Sequence, residues 1–153
     1  MLSFYLSRRK KIGQTLGTGE VSKLERADMN GEGDMINTET IQQLLGMDDD
    51  DNHEFSSSLM TDYFIQLAEK VEEMKKLLGA GDIVGVGKVG HFLKGSSAAL
   101  GATAAQRICD SIQHWEKEAS HEDVRGFLDG KIKDLERIIP TMREGIERYI
   151  RSQ

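Results

Sequence analysis

The chain has one cysteine and one proline among its 153 residues, and only 6% of them are aromatic. A lone cysteine, Cys109, makes no internal disulfide and points to a reducing compartment. So few prolines and aromatics tell against a many-stranded sandwich or barrel. No apolar run approaches the roughly 20 residues needed to cross a bilayer, which excludes a membrane-spanning helix. A surplus of positive charge is also missing. The chain sets 20 Lys and Arg against 26 Asp and Glu, a net −6, which excludes general binding of nucleic acid through its phosphates. What is present, 38% apolar and 30% charged residues, suffices for one globular unit and is too apolar for wholesale disorder. The expectation is a soluble, acidic, intracellular, helical protein.

Residues 1–33 differ from the rest. Their six bases (Arg8, Arg9, Lys10, Lys11, Lys23, Arg26) outnumber four acids, whereas residues 34–153 hold 14 bases and 22 acids. With five glycines and no sustained apolar period, residues 1–33 read as a basic, mostly disordered extension, and residues 34–153 as the folded domain. The opening MLSFYLSRRKK places apolar residues before the charges, the reverse of a secretory signal. No acid precedes Glu20, so an organelle-targeting role stays open beside the plainer one of an idle extension.

From Met35 the pattern is helical. Ile36, Ile41, Leu44 and Leu45 fit a short helix capped by Asn37 or Thr38 and ended by Gly46. Phe55, Leu59, Tyr63, Leu67, Val71, Met74 and Leu78 keep a sustained three-to-four spacing, with Asp51 and Glu54 as a capping box and Gly79 and Gly81 at the end. Two further helices are expected over Asp82–Leu100 and Thr103–Ala119, the second carrying Ala105, Ile108, Ile112 and Trp115 on one stripe. The last, from about Glu122 with Ser120 as cap, carries Leu128, Ile132, Leu135, Ile139, Met142, Ile146 and Ile150, and Pro140 should kink or interrupt it. The segment IVGVGKVG alternates like a strand, but no other segment offers it a partner, so helix wins there. The fold class is therefore all-α, an antiparallel four-helix bundle with an additional short N-terminal helix.

Gly85-Val86-Gly87-Lys88-Val89-Gly90 matches the dinucleotide-binding pattern, and Asp110 lies 20 residues beyond it. That chemistry needs a strand feeding the turn and a parallel sheet behind it, and neither is expected here. As a P-loop the segment fails because Val89 stands in place of Ser/Thr and Asp82 in place of the first glycine. His53, His91, His114, His121 and Cys109 include no pair at helical metal-ligand spacing, so no metal site is expected. No nucleophile-elbow motif is present.

His91 stands apart. On a helix over Asp82–Leu100, Val86, Val89, Leu93, Ser97 and Leu100 take the buried side, and His91, Lys94, Gly95 and Ala98 the opposite one. Gly87 and Gly95, one turn to either side, leave the imidazole uncrowded, and Lys94 at i+3 can offer an ammonium to an anion on the ring. Reversible phosphorylation of a histidine nitrogen needs such access and such charge. A solvent-facing histidine beside an ordinary lysine fits the same geometry equally well.

The string GHFLKGSSAALG at residues 90–101 resembles the signature of histidine-containing phosphotransfer (HPt) proteins, and more narrowly of the fungal phosphorelay intermediates of the yeast osmosensing type. The similarity runs from about residue 36 to 153: IQQLLGMDDDD resembles the family's first helix and acidic loop, and Cys109 and Gln113 match its next helix. The resemblance implies a four-helix bundle whose exposed His91 is the phosphoacceptor, surrounded by Lys94, Gly95, Ser96 and Gln113. Within it Lys94 would neutralise phosphate charge, Gln113 orient the ring, Gly95 supply clearance and Ser96 bond within its own helix. The phosphoryl group would come from a receiver-domain aspartate of a hybrid sensor histidine kinase and pass to response-regulator receivers. The chain would then be a carrier rather than an autonomous kinase, with no cofactor of its own and Mg²⁺ on the partner receivers. A monomer is expected, in cytoplasm and nucleus, with neither membrane nor nucleic acid as partner. Two departures are visible: Gly87 stands where a yeast relative has an acid, and Lys117 replaces an arginine near the site. The rival reading is a non-catalytic helical adaptor that docks receiver-like partners on the same face.

Overall fold

In the computed structural model the described residues are 35–119 and 123–153. The extension expected over residues 1–33 lies outside them. Asn37 opens the first helix, α1 (Thr38–Leu45): its side-chain oxygen accepts a hydrogen bond from the Thr40 N–H at 3.0 Å, and Gly46 closes the helix. Asn37 also donates its backbone N–H to the Gly101 carbonyl at 2.8 Å, which ties the start of the domain to a later turn. Gly101 has φ +73°, and a Cβ there would meet the Asn37 carbonyl at 2.8 Å, so glycine is needed twice over.

Helix α2 (Glu54–Gly79) starts differently from expectation. The Asp51–Glu54 capping box does not form: His53 takes the cap position in the left-handed region and makes no side-chain cap bond. Asp48, reaching across the loop, accepts the Ser56 N–H at 3.1 Å and the Ser56 hydroxyl. The buried stripe is also displaced at this end. Met60, Tyr63, Phe64 and Leu67 are buried, while Phe55 is exposed and Leu59 only half-buried.

Helix α3 (Ile83–Ala99) is capped by Asp82, whose Oδ1 accepts the Gly85 N–H at 2.9 Å, so the glycine-rich pattern lies on helix rather than in a phosphate-cradling turn. The helix expected to reach Ala119 ends early. α4 spans Thr103–Gln113, His114 breaks it, and α5 is a single turn, Trp115–Glu118. Helix α6 (Val124–Arg151) is capped by Asp123, which accepts the Gly126 N–H at 2.7 Å; the expected cap, Ser120, lies outside the described residues. α6 runs through Pro140 uninterrupted. The carbonyl that loses its partner there belongs to Glu136, on an exposed position where water can satisfy it. Ile138 rather than Ile139 is the buried isoleucine of this stretch.

Among the described residues the fold is all-α. The bundle closes in a ring: α3 packs on α2 and α4, and α6 packs on α2 and α4, with α1 laid against α6. Leu67, Met74, Leu93, Ile112, Leu128, Leu135 and Met142 are fully buried at its centre. Burial of such side chains contributes about 1.5–3 kcal/mol each and offsets the glycine content of α3. No described helix is long and apolar enough to cross a membrane.

Candidate functional site

Two glycines of α3 are occupied by neighbours rather than by space. A Cβ on Gly90 would lie 2.8 Å from Ile112 Cγ2, 3.1 Å from the Cys109 carbonyl and 3.2 Å from the Gln113 nitrogen. Gly90 thus lets the backbones of α3 and α4 approach closely. Gly87, expected to leave room for His91, is instead buried under the Trp115 ring, whose Nε1 would lie 3.4 Å from an added Cβ. This corrects its role: Gly87 seats the indole of Trp115, the first residue of α5. Gly95 does face open space, with nothing within 4 Å of a Cβ.

The close approach at Gly90 brings Gln113, the last residue of α4, beside His91. The two side chains meet at 2.9 Å between Gln113 Nε2 and His91 Nδ1. The other end of the amide is held by Lys94, whose ammonium lies 3.4 Å from Gln113 Oε1. That contact turns the Gln113 NH₂ toward the ring, where it donates to Nδ1. His91 is exposed, and among the described residues its Nε2 has no hydrogen-bond partner. One nitrogen is held and the other is presented.

Lys94 makes its shortest bond elsewhere, 2.7 Å to Asp110 Oδ1 on α4. This bond, and the charge behind it, hold the Asp110 carboxyl below the usual carboxylate range. His114 Nδ1 lies 3.0 Å from the Asp110 carbonyl and 3.1 Å from the same carboxylate oxygen. Sequence reasoning had used Asp110 only to test a nucleotide motif and missed this position. Its signal was available in the helical arithmetic, since Asp110 stands one turn before Gln113 on the same face.

Ser96 donates its hydroxyl to the Leu93 carbonyl at 3.2 Å, within its own helix, while the hydrogen bond to the imidazole comes from Gln113. Phe92 is 46% exposed beside His91, with the Lys70 ammonium 5.4 Å from its ring centre. Lys117 is exposed on α5 and joins none of the hydrogen bonds of the cluster. Beneath the site, Ser97 is buried and hydrogen-bonded to the Tyr63 hydroxyl at 2.7 Å, an interaction no local pattern announced. Burial raises the Tyr63 phenol above its ordinary value and pushes the Cys109 thiol up to about 12, so neither group ionises near neutrality. No group of three or more His, Cys, Asp or Glu among the described residues could hold a metal ion.

A family model of the Hpt domain matches residues 58–148. The chain is 42% identical over 90 residues to Multistep phosphorelay regulator 1 of Schizosaccharomyces pombe, covering 59% of this chain and 30% of that protein. It is 34% identical over 89 residues to Phosphorelay intermediate protein YPD1 of Saccharomyces cerevisiae, covering 58% of this chain and 53% of the relative. The matched region thus spans about half or less of each of these relatives. A crystal structure of Ypd1p superposes with a TM-score of 0.61 at 25% identity, over 74% of this chain and 90% of that one.

Proposed function

The chain belongs to the Hpt domain family, and we propose that it is a phosphorelay intermediate in which His91 carries the phosphoryl group. The observation that carries this reading is the unequal treatment of the two ring nitrogens of an exposed histidine: Nδ1 is tied to Gln113, and Nε2 has no hydrogen-bond partner among the described residues. The donor is an aspartyl phosphate on the receiver domain of a hybrid sensor histidine kinase. The Nε2 lone pair attacks phosphorus, the N–P bond forms, and the P–O bond to the aspartate breaks, its carboxylate leaving with the electron pair. Attack requires the tautomer protonated on Nδ1, so the Gln113 amide turns and Oε1 accepts that N–H. When the proton has passed to water, the amide returns and its NH₂ donates to the bare Nδ1. The reverse step delivers the phosphoryl group to an aspartate of a response-regulator receiver.

In this reading Lys94 balances phosphate charge, Gly95 keeps the approach open and Ser96 supports the helix. The chain is a carrier and no autonomous kinase; it holds no cofactor, and the Mg²⁺ of the reaction sits on the receivers. The protein acts as a monomer, and its sites of action are cytoplasm and nucleus. An adaptor that merely docks receivers would draw on the exposed Phe92 but has no use for an open Nε2.

The test is transfer from a phosphorylated hybrid-kinase receiver to this chain. Acid-labile, base-stable label on the wild type, and none on His91→Gln, is the expected result. Equal labelling of His91→Gln ends the carrier reading.

A further inference from the structure

We propose that Asp110 is a positioning residue: it holds the Lys94 ammonium away from the reactive nitrogen and thereby sets how readily His91 keeps a phosphoryl group. The inference rests on the functional reading above. Lys94 has two partners on α4, the Asp110 carboxylate at 2.7 Å and Gln113 Oε1 at 3.4 Å. A phosphoryl group on Nε2 would be a third claimant for the same ammonium. The ammonium has a third N–H to offer, but the 2.7 Å bond holds it on the α4 side, and any movement toward the ring weakens that pair, so each phosphorylation is opposed by part of its loss. The carboxylate itself is fixed from behind, because His114 Nδ1 contacts both its oxygen and the Asp110 carbonyl. Asp110 therefore cannot simply follow Lys94 toward the phosphate. A carrier that must give its cargo away gains from such competition, since a phosphohistidine held too firmly would not pass its group on.

Both partners are partly exposed, 35% for Lys94 and 44% for Asp110, so the effect is that of a screened pair. The measurement is the equilibrium of phosphoryl exchange between the chain and the receiver domain of a fungal hybrid sensor kinase, labelled through its kinase with radioactive ATP. Asp110→Asn keeps the shape and removes the charge; the equilibrium constant for phosphoryl transfer onto the chain should rise about two- to fivefold. The rise should shrink at about 0.5 M salt, where the screening length is only a few ångströms. In a Lys94→Ala background the same substitution should do almost nothing, and Asp110→Glu should restore most of the wild-type equilibrium. Unchanged helical circular dichroism and thermal midpoint for Asp110→Asn keep a folding defect out of the comparison. An unaltered equilibrium in Asp110→Asn overturns the inference alone, as does an equal rise without Lys94, which would mean direct repulsion between carboxylate and phosphate. A wild-type chain that takes no phosphate overturns this inference and the functional reading together.

Discussion

Helices α2 and α6, which pack together, bury large side chains such as Leu67, Met74, Leu135 and Met142, and bonds at the rim tie them further. Lys75 reaches Glu136 at 2.9 Å, and Arg125 donates to the Leu78 carbonyl at 3.0 Å, in the last turn of α2. Between α3 and α4, by contrast, the helices come together through glycine, and the side chains above the seam are polar: His91, Lys94, Asp110 and Gln113. The α2–α6 side spends its residues on stability. The α3–α4 side gives up helix propensity, about 1 kcal/mol for each interior glycine, to bring a glutamine within bonding distance of a histidine. If that division is real, substitutions on the two sides should separate stability from transfer.

The largest expected effect is at Gly95. A side chain at i+4 projects back over the imidazole, into space that is empty now. Gly95→Gln should gain a few tenths to about 1 kcal/mol of stability from better helix propensity. It should also lose about a hundredfold in the initial rate of phosphate uptake, the scale expected of a misplacement near 1 Å. A thermal melt and a single-turnover transfer assay decide it; normal uptake would mean that Gly95 is no clearance.

Next comes the same substitution at two glycines of one helix. At Gly90 an added methyl meets two backbone atoms within 3.2 Å, which cannot move without parting α3 from α4. Overpacking of about 1–3 kcal/mol, less about 1 kcal/mol of propensity, leaves Gly90→Ala a net loss of up to about 2 kcal/mol. It should also slow transfer, because Gln113 is displaced from His91. At Gly87 the Trp115 ring stands at ordinary contact distance, so Gly87→Ala should be neutral or gain up to about 1 kcal/mol. The urea midpoint of Gly90→Ala should fall below that of Gly87→Ala.

Much of this was legible in the residues. The three-to-four spacing of Leu67, Val71, Met74 and Leu78, and of Leu128, Ile132 and Leu135, follows from burying one stripe of a helix, a local and repeating demand. The exposure of His91 and the openness at Gly95 came from the same arithmetic. What escaped depended on contacts between elements. Nothing local says that the indole of Trp115 will cover Gly87, or that Asp48 will displace Asp51 at the start of α2. The pairing of Lys94 with Asp110 joins residues 16 apart on different helices, and only the crossing at Gly90 sets their separation.

A smaller effect is expected below the site. Tyr63→Phe removes the bond to Ser97 and should cost about 1 kcal/mol, since the serine can turn to a carbonyl of its own helix. The pH dependence follows from the direction of the shifts. Cys109 and Tyr63 both ionise less readily folded than unfolded, so stability is intact below their unfolded values and falls as pH rises past about 9 for the thiol and 10 for the phenol. Above about pH 10 the alkaline decline should be shallower in Tyr63→Phe than in the wild type, with the Cys109 part remaining. Parallel curves for the two proteins would place the phenol in contact with water.

The smallest effect belongs to the start of α2, remote from the glycine seam in sequence and built on a carboxylate. Asp48 accepts the Ser56 N–H and the Ser56 hydroxyl, with His53 Nδ1 at 3.7 Å, and the hydroxyl bond is the main cause of a carboxyl held below its ordinary value. A carboxylate depressed in the folded state contributes stability that is present above its unfolded value, near 3.8, and is lost as pH falls through the lower folded one. Asp48→Asn should therefore lower the thermal midpoint modestly at pH 7, and the gap from wild type should close below about pH 3. Asp51→Ala and Glu54→Ala, which make no cap bond, should leave the midpoint where it is at both values. None of the three should change the rate of phosphate uptake, because α2 begins on the side of the bundle that holds the fold together. A slowed uptake in Asp48→Asn at an unchanged midpoint would reverse the assignment and make the loop before α2 part of the transfer surface.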